Sequence, residues 1–334
     1  MGSAATGALM GLALGDALGY PTEFQDVPAI LAAHGDWRRL PLPEPALITD
    51  DTQMTLALGR ALEAARAAGP LTARTLEPPA RAAYTAWWHS PENNRAPGTT
   101  CLTACARLAE PGTHWTEAAP MRSKGCGANM RVAPVGLVPG LTARQRSGAA
   151  QFQGALTHGH PTALAASDLT AYAVRALADG AHPDRLTALL REYAHASRTA
   201  YQEDWLGDLW RRSGDATPQA YLARGWDDCL AVLDRLDAAL RAPDREADPC
   251  AATGAGWIAE EALATGLYCF LLFPDEPVTA LRRAAVSSGD SDSLACLAGA
   301  FAGARLGAGA WPREWTDRIE HRADLLALGA AWDA

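Results

Sequence analysis

The run Ala5-Thr6-Gly7-Ala8-Leu9-Met10-Gly11-Leu12-Ala13-Leu14-Gly15-Asp16-Ala17-Leu18-Gly19 decides the fold. Its Ala and Leu residues favour helix, yet every fourth position is a glycine, which weakens a helix interior by about 1 kcal/mol relative to Ala. Four-residue spacing aligns Gly7, Gly11, Gly15 and Gly19 on one helix face, where the missing side chains let a second backbone approach closely. Gly299, Gly303 and Gly307 repeat that spacing near the other end of the chain. The expectation is a pair of tightly packed helices.

Working outward, apolar residues recur three and four apart in Ala- and Leu-rich segments, Val and Ile are scarce, and no convincing strand alternation occurs. Helices are predicted over 5–18, 52–68, 79–88, 99–108, 144–156, 161–178, 183–196, 227–240, 257–272, 277–286, 291–306 and 317–332. Loops fall at 41–48, 91–98, 110–127, 241–256 and 274–276, where Pro, Gly, Asp or Asn break the period. The chain reads as all-α and, lacking a low-complexity linker, as one domain over 1–334.

Composition narrows the function. With 334 residues, 49% hydrophobic and 20% charged, the chain is neither disordered nor fibrous. A net charge of −9 argues against extensive non-specific nucleic-acid binding and against an anionic membrane surface. Apolar runs such as 294–304 fall short of the roughly 20 residues that span a bilayer, and no basic segment opens a secretory signal. Seven cysteines without a Cys-x-x-Cys pair suit reduced thiols in a cytoplasmic protein. Cys101 and Cys105, four apart on a predicted helix, read as buried structural thiols.

Two acidic clusters carry the chemistry. Thr49-Asp50-Asp51-Thr52 and Asp290-Ser291-Asp292-Ser293 each open an apolar-periodic helix. A cap and the helix dipole explain one such residue, but adjacent ionised carboxylates repel unless a cation lies between them. If the two helix starts meet, their oxygens match hard cations such as Mg2+ or Mn2+, two of which about 3.5–4 Å apart can share ligands. Glu23, just beyond the glycine-rich helix, is placed to aim into the same cleft. Asp16 reads as structural, bonded to backbone. The Gly-rich stretch Gly125-Cys126-Gly127 offers amides for a phosphate, while His158 and His160 lack zinc-ligand spacing and read as hydrogen-bonding residues.

Together these residues resemble the ADP-ribosylglycohydrolase family, of the dinitrogenase reductase-activating glycohydrolase and ADP-ribosylhydrolase type. The resemblance rests, in order, on Gly11-x3-Gly15-Asp16-Ala17-Leu18-Gly19-x3-Glu23-Phe24, Thr49-Asp50-Asp51-Thr52, Arg95-Ala96-Pro97-Gly98-Thr99-Thr100, Gly127-x2-Met130-Arg131-Val132-Ala133-Pro134, Thr157-His158, and Gly289-Asp290-Ser291-Asp292-Ser293. It implies a compact single-domain orthogonal helical bundle with a binuclear Mg2+ or Mn2+ site at helix N-termini. The metals would be held by Thr49, Asp50, Asp51, Asp290, Asp292 and Ser293, with Ser291 a spacer. ADP-ribose would lie with its phosphates near Ser123, Gly125, Cys126, Gly127 and His158, and Gly256-Trp257 would line the nucleotide cleft. Ser288, Cys126 and Asn129 depart from the usual pattern without removing a metal ligand.

The implied reaction is attack of a metal-held water on the anomeric carbon, with Asp290 accepting the proton and Glu23 ordering the water or gating access. The implied substrate is an ADP-ribosylated protein or small-molecule acceptor, arginine-linked by preference, with serine- and nucleic-acid-linked forms as further options and free ADP-ribose as product. Two alternatives stand beside it: a non-catalytic ADP-ribose or nucleotide binder on the same scaffold, and a metal-dependent nucleotide phosphoesterase.

Overall fold

The computed structural model describes residues 3–333, and its longer helices are α1 (Ala4–Gly19), α2 (Val27–His34), α3 (Asp50–Ala68), α4 (Ala73–His89), α5 (Thr99–Ala109), α6 (Ala143–Ala155), α7 (Pro161–Ala178), α8 (Pro183–Ser197), α9 (Pro218–Arg241), α10 (Ala259–Leu272), α11 (Pro277–Ala285), α12 (Ser291–Leu306) and α13 (Arg322–Asp333). Among the described residues there is no strand, only isolated bridges at Ala46–Ile319 and Gly125–Ile258. The all-α expectation holds. No helix of the described residues is long and apolar enough to cross a membrane.

The glycine faces meet as expected. A methyl group added at Gly7 would lie 2.5 Å from the Gly303 carbonyl oxygen, at Gly11 2.3 Å from that of Gly299, at Gly15 2.0 Å from that of Ala295, and at Gly19 2.4 Å from that of Ser291. Each step of four forward along α1 thus meets a step of four backward along α12, which defines an antiparallel pair in fixed register. Both helices are buried on every side, as their all-round apolarity requires. Helices α11 and α13 pack on α1, α10 and α11 on α12, and α7 joins this centre to α6 and α9.

Several boundaries differ from the periodicity reading; helix α9 begins at Pro218 rather than 227, where the Thr217 side chain caps its first turn, and helix α13 at Arg322 rather than 317. Helix α4 begins at Ala73, not near residue 79, because Thr72 and Thr75 form a capping box and the turn it fixes carries Pro78 and Pro79 within the helix. Helix α2, capped by Asp26, was too short to stand out as a period. Helix α10 begins at Ala259 rather than 257, since Ile258 is extended and bridges Gly125, leaving Trp257 outside the helix.

The glycine register makes a testable demand. Gly15→Ala improves helix propensity by about 1 kcal/mol, but its methyl would overlap the Ala295 carbonyl. Urea unfolding is expected to show a net loss of about 1–3 kcal/mol, the usual scale of overpacking. Gly309→Ala, with no atom within 4 Å, should leave the midpoint nearly unchanged. Equal effects of the two would show that close approach does not set the α1–α12 packing.

Candidate active site

Helix α1 brings both acidic helix starts to one place. Its single carboxylate, Asp16, is fully buried and accepts hydrogen bonds from the Thr49 and Thr52 amides (3.0 Å each) and from the Thr52 hydroxyl (2.5 Å). That is the structural role expected of it, and it fastens the start of α3 to α1. At the end of α1, the Gly19 carbonyl accepts from the Ser291 hydroxyl (3.0 Å), and Thr22 bonds Gly19 and the Ala285 carbonyl. Ser291 is therefore turned away from the cleft, in keeping with a spacer. Glu23 follows the short turn Tyr20–Thr22, and Phe24 beside it has a left-handed backbone (φ 64°).

The carboxylates converge where these contacts meet. Thr49 caps α3, accepting from the Asp51 amide (3.3 Å), and its hydroxyl lies 3.5 Å from Asp292 Oδ2. Asp50 accepts from the Gly98 amide (3.2 Å), so the Arg95–Thr100 loop closes over it. Asp290 occupies the N-cap position of α12 but makes no side-chain cap bond, which removes capping as the reason for a carboxylate there. Asp51 Oδ2 is buried without a hydrogen-bond partner. Oxygens of Glu23, Asp290 and Asp292 lie within 4.8 Å of one another.

So many buried like charges disturb each other. Burial, then the charge of Asp292 and further neighbouring carboxylates, pushes Asp50 up to about 8 and Glu23 up to about 9. Burial and Asp292 push Asp16 up to about 7 and raise Asp51 and Asp290 well above the ordinary carboxylate range. Among the described residues, no Lys, Arg or His forms an ion pair with any of these acids. An all-oxygen set of buried, unpaired carboxylates suits hard divalent cations, so the donor chemistry fits the expected metals.

The acids open into a cleft of about 450 Å³. Its lining includes Glu23, Asp50, Asp51, Gly125, Cys126, Gly127, His158, Trp257, Asp290, Asp292 and Ser293, all anticipated from sequence. Three anticipated residues stand behind the lining. Thr49 backs Asp292, Ser123 bonds the Thr100 hydroxyl (2.8 Å), and Gly256, with φ 86°, packs against Leu294 and Asp290. One detail is corrected: the Cys126 amide is not free for an anion, because it donates to the Trp257 carbonyl (3.2 Å). Cys101 and Cys105 are buried, as expected.

Two residues, Phe24 and Arg131, escaped the sequence reading as parts of the site. Phe24 stacks on the anticipated Trp257 at the cleft mouth, ring centroids 5.4 Å apart, and the two remain 70% and 43% exposed. Arg131 is fully buried behind the Gly-rich turn, under the Tyr84 ring, donating to the Gly127 carbonyl (2.9 Å), to Gln153 and to the Thr157 hydroxyl (2.7 Å). A lone arginine between Met130 and Val132-Ala133-Pro134 was the available signal. The Thr157 hydroxyl also lies 2.9 Å from His158 Nδ1 and 3.5 Å from the Gly154 carbonyl; donation to Nδ1 is the arrangement that leaves the imidazole hydrogen on Nε2. Burial first, then the Arg131 charge, lowers the His158 pKa to about 3. His158 is thus neutral near pH 7. Its Nε2 would lie 3.4 Å from a methyl group at Gly125, and its Cε1 3.0 Å from one at Gly127, where Cys101 also leaves no room for a side chain.

The model of the ADP-ribosylglycohydrolase family matches residues 2–333. Among relatives, an uncharacterized protein of Archaeoglobus fulgidus is 26% identical over 326 residues, covering 96% of this chain and 92% of the relative. The ADP-ribosyl-[dinitrogen reductase] glycohydrolase of Rhodospirillum rubrum is 34% identical over 170 residues, 48% of this chain and 53% of that enzyme. A solved structure titled as an ADP-ribosylglycohydrolase-related protein complex superposes with a TM-score of 0.65 at 23% identity, covering 99% of this chain and 96% of that one. It shares the fold.

The raised carboxyls give a pH signature. Folded Asp16, Asp50 and Glu23 hold protons up to about 7, 8 and 9, whereas the unfolded chain releases them near 3.8 and 4.5. The folded state therefore binds more protons in between, and stability falls as pH rises through that window. The depressed His158 acts with the opposite sign, but only below pH 6.5. In chelator, the thermal midpoint should drop between pH 6.5 and 9, and added Mn2+ should flatten the drop. Identical slopes with and without the ion would contradict a cation-binding acid cluster.

Proposed function

The chain belongs to the ADP-ribosylglycohydrolase family, whose substrates carry ADP-ribose and whose product is ADP-ribose, and we propose that it cleaves the N-glycosidic bond to an arginine acceptor. The observation that carries this reading is the convergence of Glu23, Asp50, Asp51, Asp290 and Asp292 on one cleft whose lining includes no lysine or arginine. A lining without lysine or arginine leaves no side-chain cation to repel a guanidinium acceptor. Ser293 at the end of the last acidic motif leans the same way, since it resembles arginine-directed members.

Thr49, Asp50 and Asp51 on one side and Asp290, Asp292 and Ser293 on the other would hold two divalent cations, Mg2+ or Mn2+. When bound, these ions supply positive charge and Lewis acidity at the reacting sugar. Hydrolysis breaks the bond from the anomeric carbon to the acceptor nitrogen and forms one to water, through a sugar that carries oxocarbenium charge. Asp290 takes the proton of the attacking water, and Glu23 orders that water from the turn after α1. The acceptor nitrogen leaves with a proton drawn from solvent. His158 donates its Nε2–H toward the phosphates as a neutral group, so this contact does not vary with pH near neutrality. Trp257 offers an aromatic face to the adenine.

A panel of arginine-, serine- and nucleic-acid-linked ADP-ribose substrates, run with Mg2+, Mn2+ and chelator, tests the proposal. The arginine conjugate should turn over fastest, release free ADP-ribose without phosphate or nucleoside monophosphate, and stop on chelation. Asp290→Asn should lower kcat about 10²–10⁴-fold, the usual range for losing a general base, with an unchanged helical circular dichroism spectrum. Full activity after metal-free dialysis would remove the cations from the reading, and liberated phosphate would replace glycosidic cleavage with phosphoester cleavage.

A further inference from the structure

Lys124 is the only lysine among the 29 basic residues of the chain. It immediately precedes the Gly125-Cys126-Gly127 turn, yet it is absent from the cleft lining. Its ammonium instead lies behind the turn, bonded to Glu260 and 3.3 Å from Asp228 Oδ2. The Glu260 side chain is only 5% exposed, its Oε1 takes Lys124 and its Oε2 has no hydrogen-bond partner, so Lys124 is the cation that makes this buried carboxylate tolerable. Asp228 also accepts from the Thr162 hydroxyl (2.7 Å), in the first turn of α7, just beyond His158.

The main chain around Lys124 is tied to the same neighbours. Its carbonyl accepts from the Ala259 amide (2.9 Å), Gly125 bridges Ile258, and the Cys126 amide donates to the Trp257 carbonyl. Asn129 adds a bond from its side-chain amide to the Ala259 carbonyl (3.1 Å). The two backbone hydrogen bonds that make this bridge, with the Asn129 side-chain bond, hold two short irregular segments weakly alone. The Lys124–Glu260 pair closes them from the far side, across the first turn of α10. A compact ammonium with three donors fits between two carboxylates, where a planar guanidinium would need a wider set of acceptors.

We propose that Lys124 is a positioning residue for the nucleotide half of the substrate: by clamping Glu260 and Asp228 it fixes the Gly125–Gly127 turn relative to Trp257 and to His158. This rests on the reading of the cleft as an ADP-ribose site. The clamp governs binding of the diphosphate and adenine, and leaves the acid cluster, which hangs from α1, α3 and α12, to run the bond cleavage.

The single lysine makes the test clean. With ADP-ribose as the titrant, calorimetry on Lys124→Met is expected to show an affinity about tenfold weaker, the scale of one coupled charged pair. KM for the arginine conjugate should rise in step while kcat stays within about twofold. Glu260→Gln should cost a similar factor, and the double variant no more than either single one. Acetylation of the folded native protein, which removes the charge, should reproduce the loss, whereas reductive dimethylation, which keeps it, should not. The same reagents on Lys124→Met report the N-terminal amine alone, and the modification arm serves if that variant does not fold. Unchanged affinity in both Lys124→Met and the acetylated protein, or a fall in kcat at constant KM, overturns the inference. A native protein that neither binds ADP-ribose nor cleaves its conjugates overturns the reading of the cleft as well.

Discussion

Backbone lies directly on backbone between α1 and α12, and everything else in the molecule is arranged around that contact. Side-chain packing alone permits helices to slide by small amounts, but carbonyl oxygens seated in the gaps left by four glycines do not. The register so fixed puts the end of α1 against the start of α12, and hence Glu23 beside Asp290 and Asp292. Asp16, projecting from another face of the same helix, fastens the start of α3. One helix therefore sets the distance between acids that are far apart along the chain.

The acid cluster is in conflict with its own surroundings. Burial and mutual repulsion raise several of its carboxyls by whole pH units, and one oxygen of Asp51 has nothing to bond. Proteins keep such conflicts where function requires them and compensate elsewhere. Here the compensation is the rigid apolar pair beneath, together with Asp16, whose three donors satisfy a buried carboxylate without any cation. The cleft wall opposite is built the other way: Arg131 is a buried cation satisfied by neutral acceptors, and it fixes a neutral histidine.

What the sequence made legible was local or periodic. Glycines at a four-residue interval, a helix start with two adjacent acids, and the structural nature of Asp16 could each be read from a few residues, because spacing alone determines which face they share. Residues whose role depends on distant chain were opaque. Trp257 sits in what periodicity makes the first turn of a helix, and only the bridge between Ile258 and Gly125 pulls that turn out straight. The Cys126 amide looked free because its acceptor lies across the cleft rim. Helix α4 starts early since a Thr–Thr capping box outweighs two prolines, a local competition that the prolines alone misrepresent.

The partners of the central contact are separated by almost the whole polypeptide: Ser291, which bonds Gly19, lies 272 positions away. On a ribosome adding about 5–20 residues per second, α1 waits on the order of tens of seconds before its mate emerges. During that interval the glycine face of α1 lacks its partner, although Asp16 can already engage the start of α3. The acid cluster is completed only as translation nears its end, and messages truncated ahead of α12 encode neither the backbone face that seats the glycines of α1 nor Asp290 and Asp292.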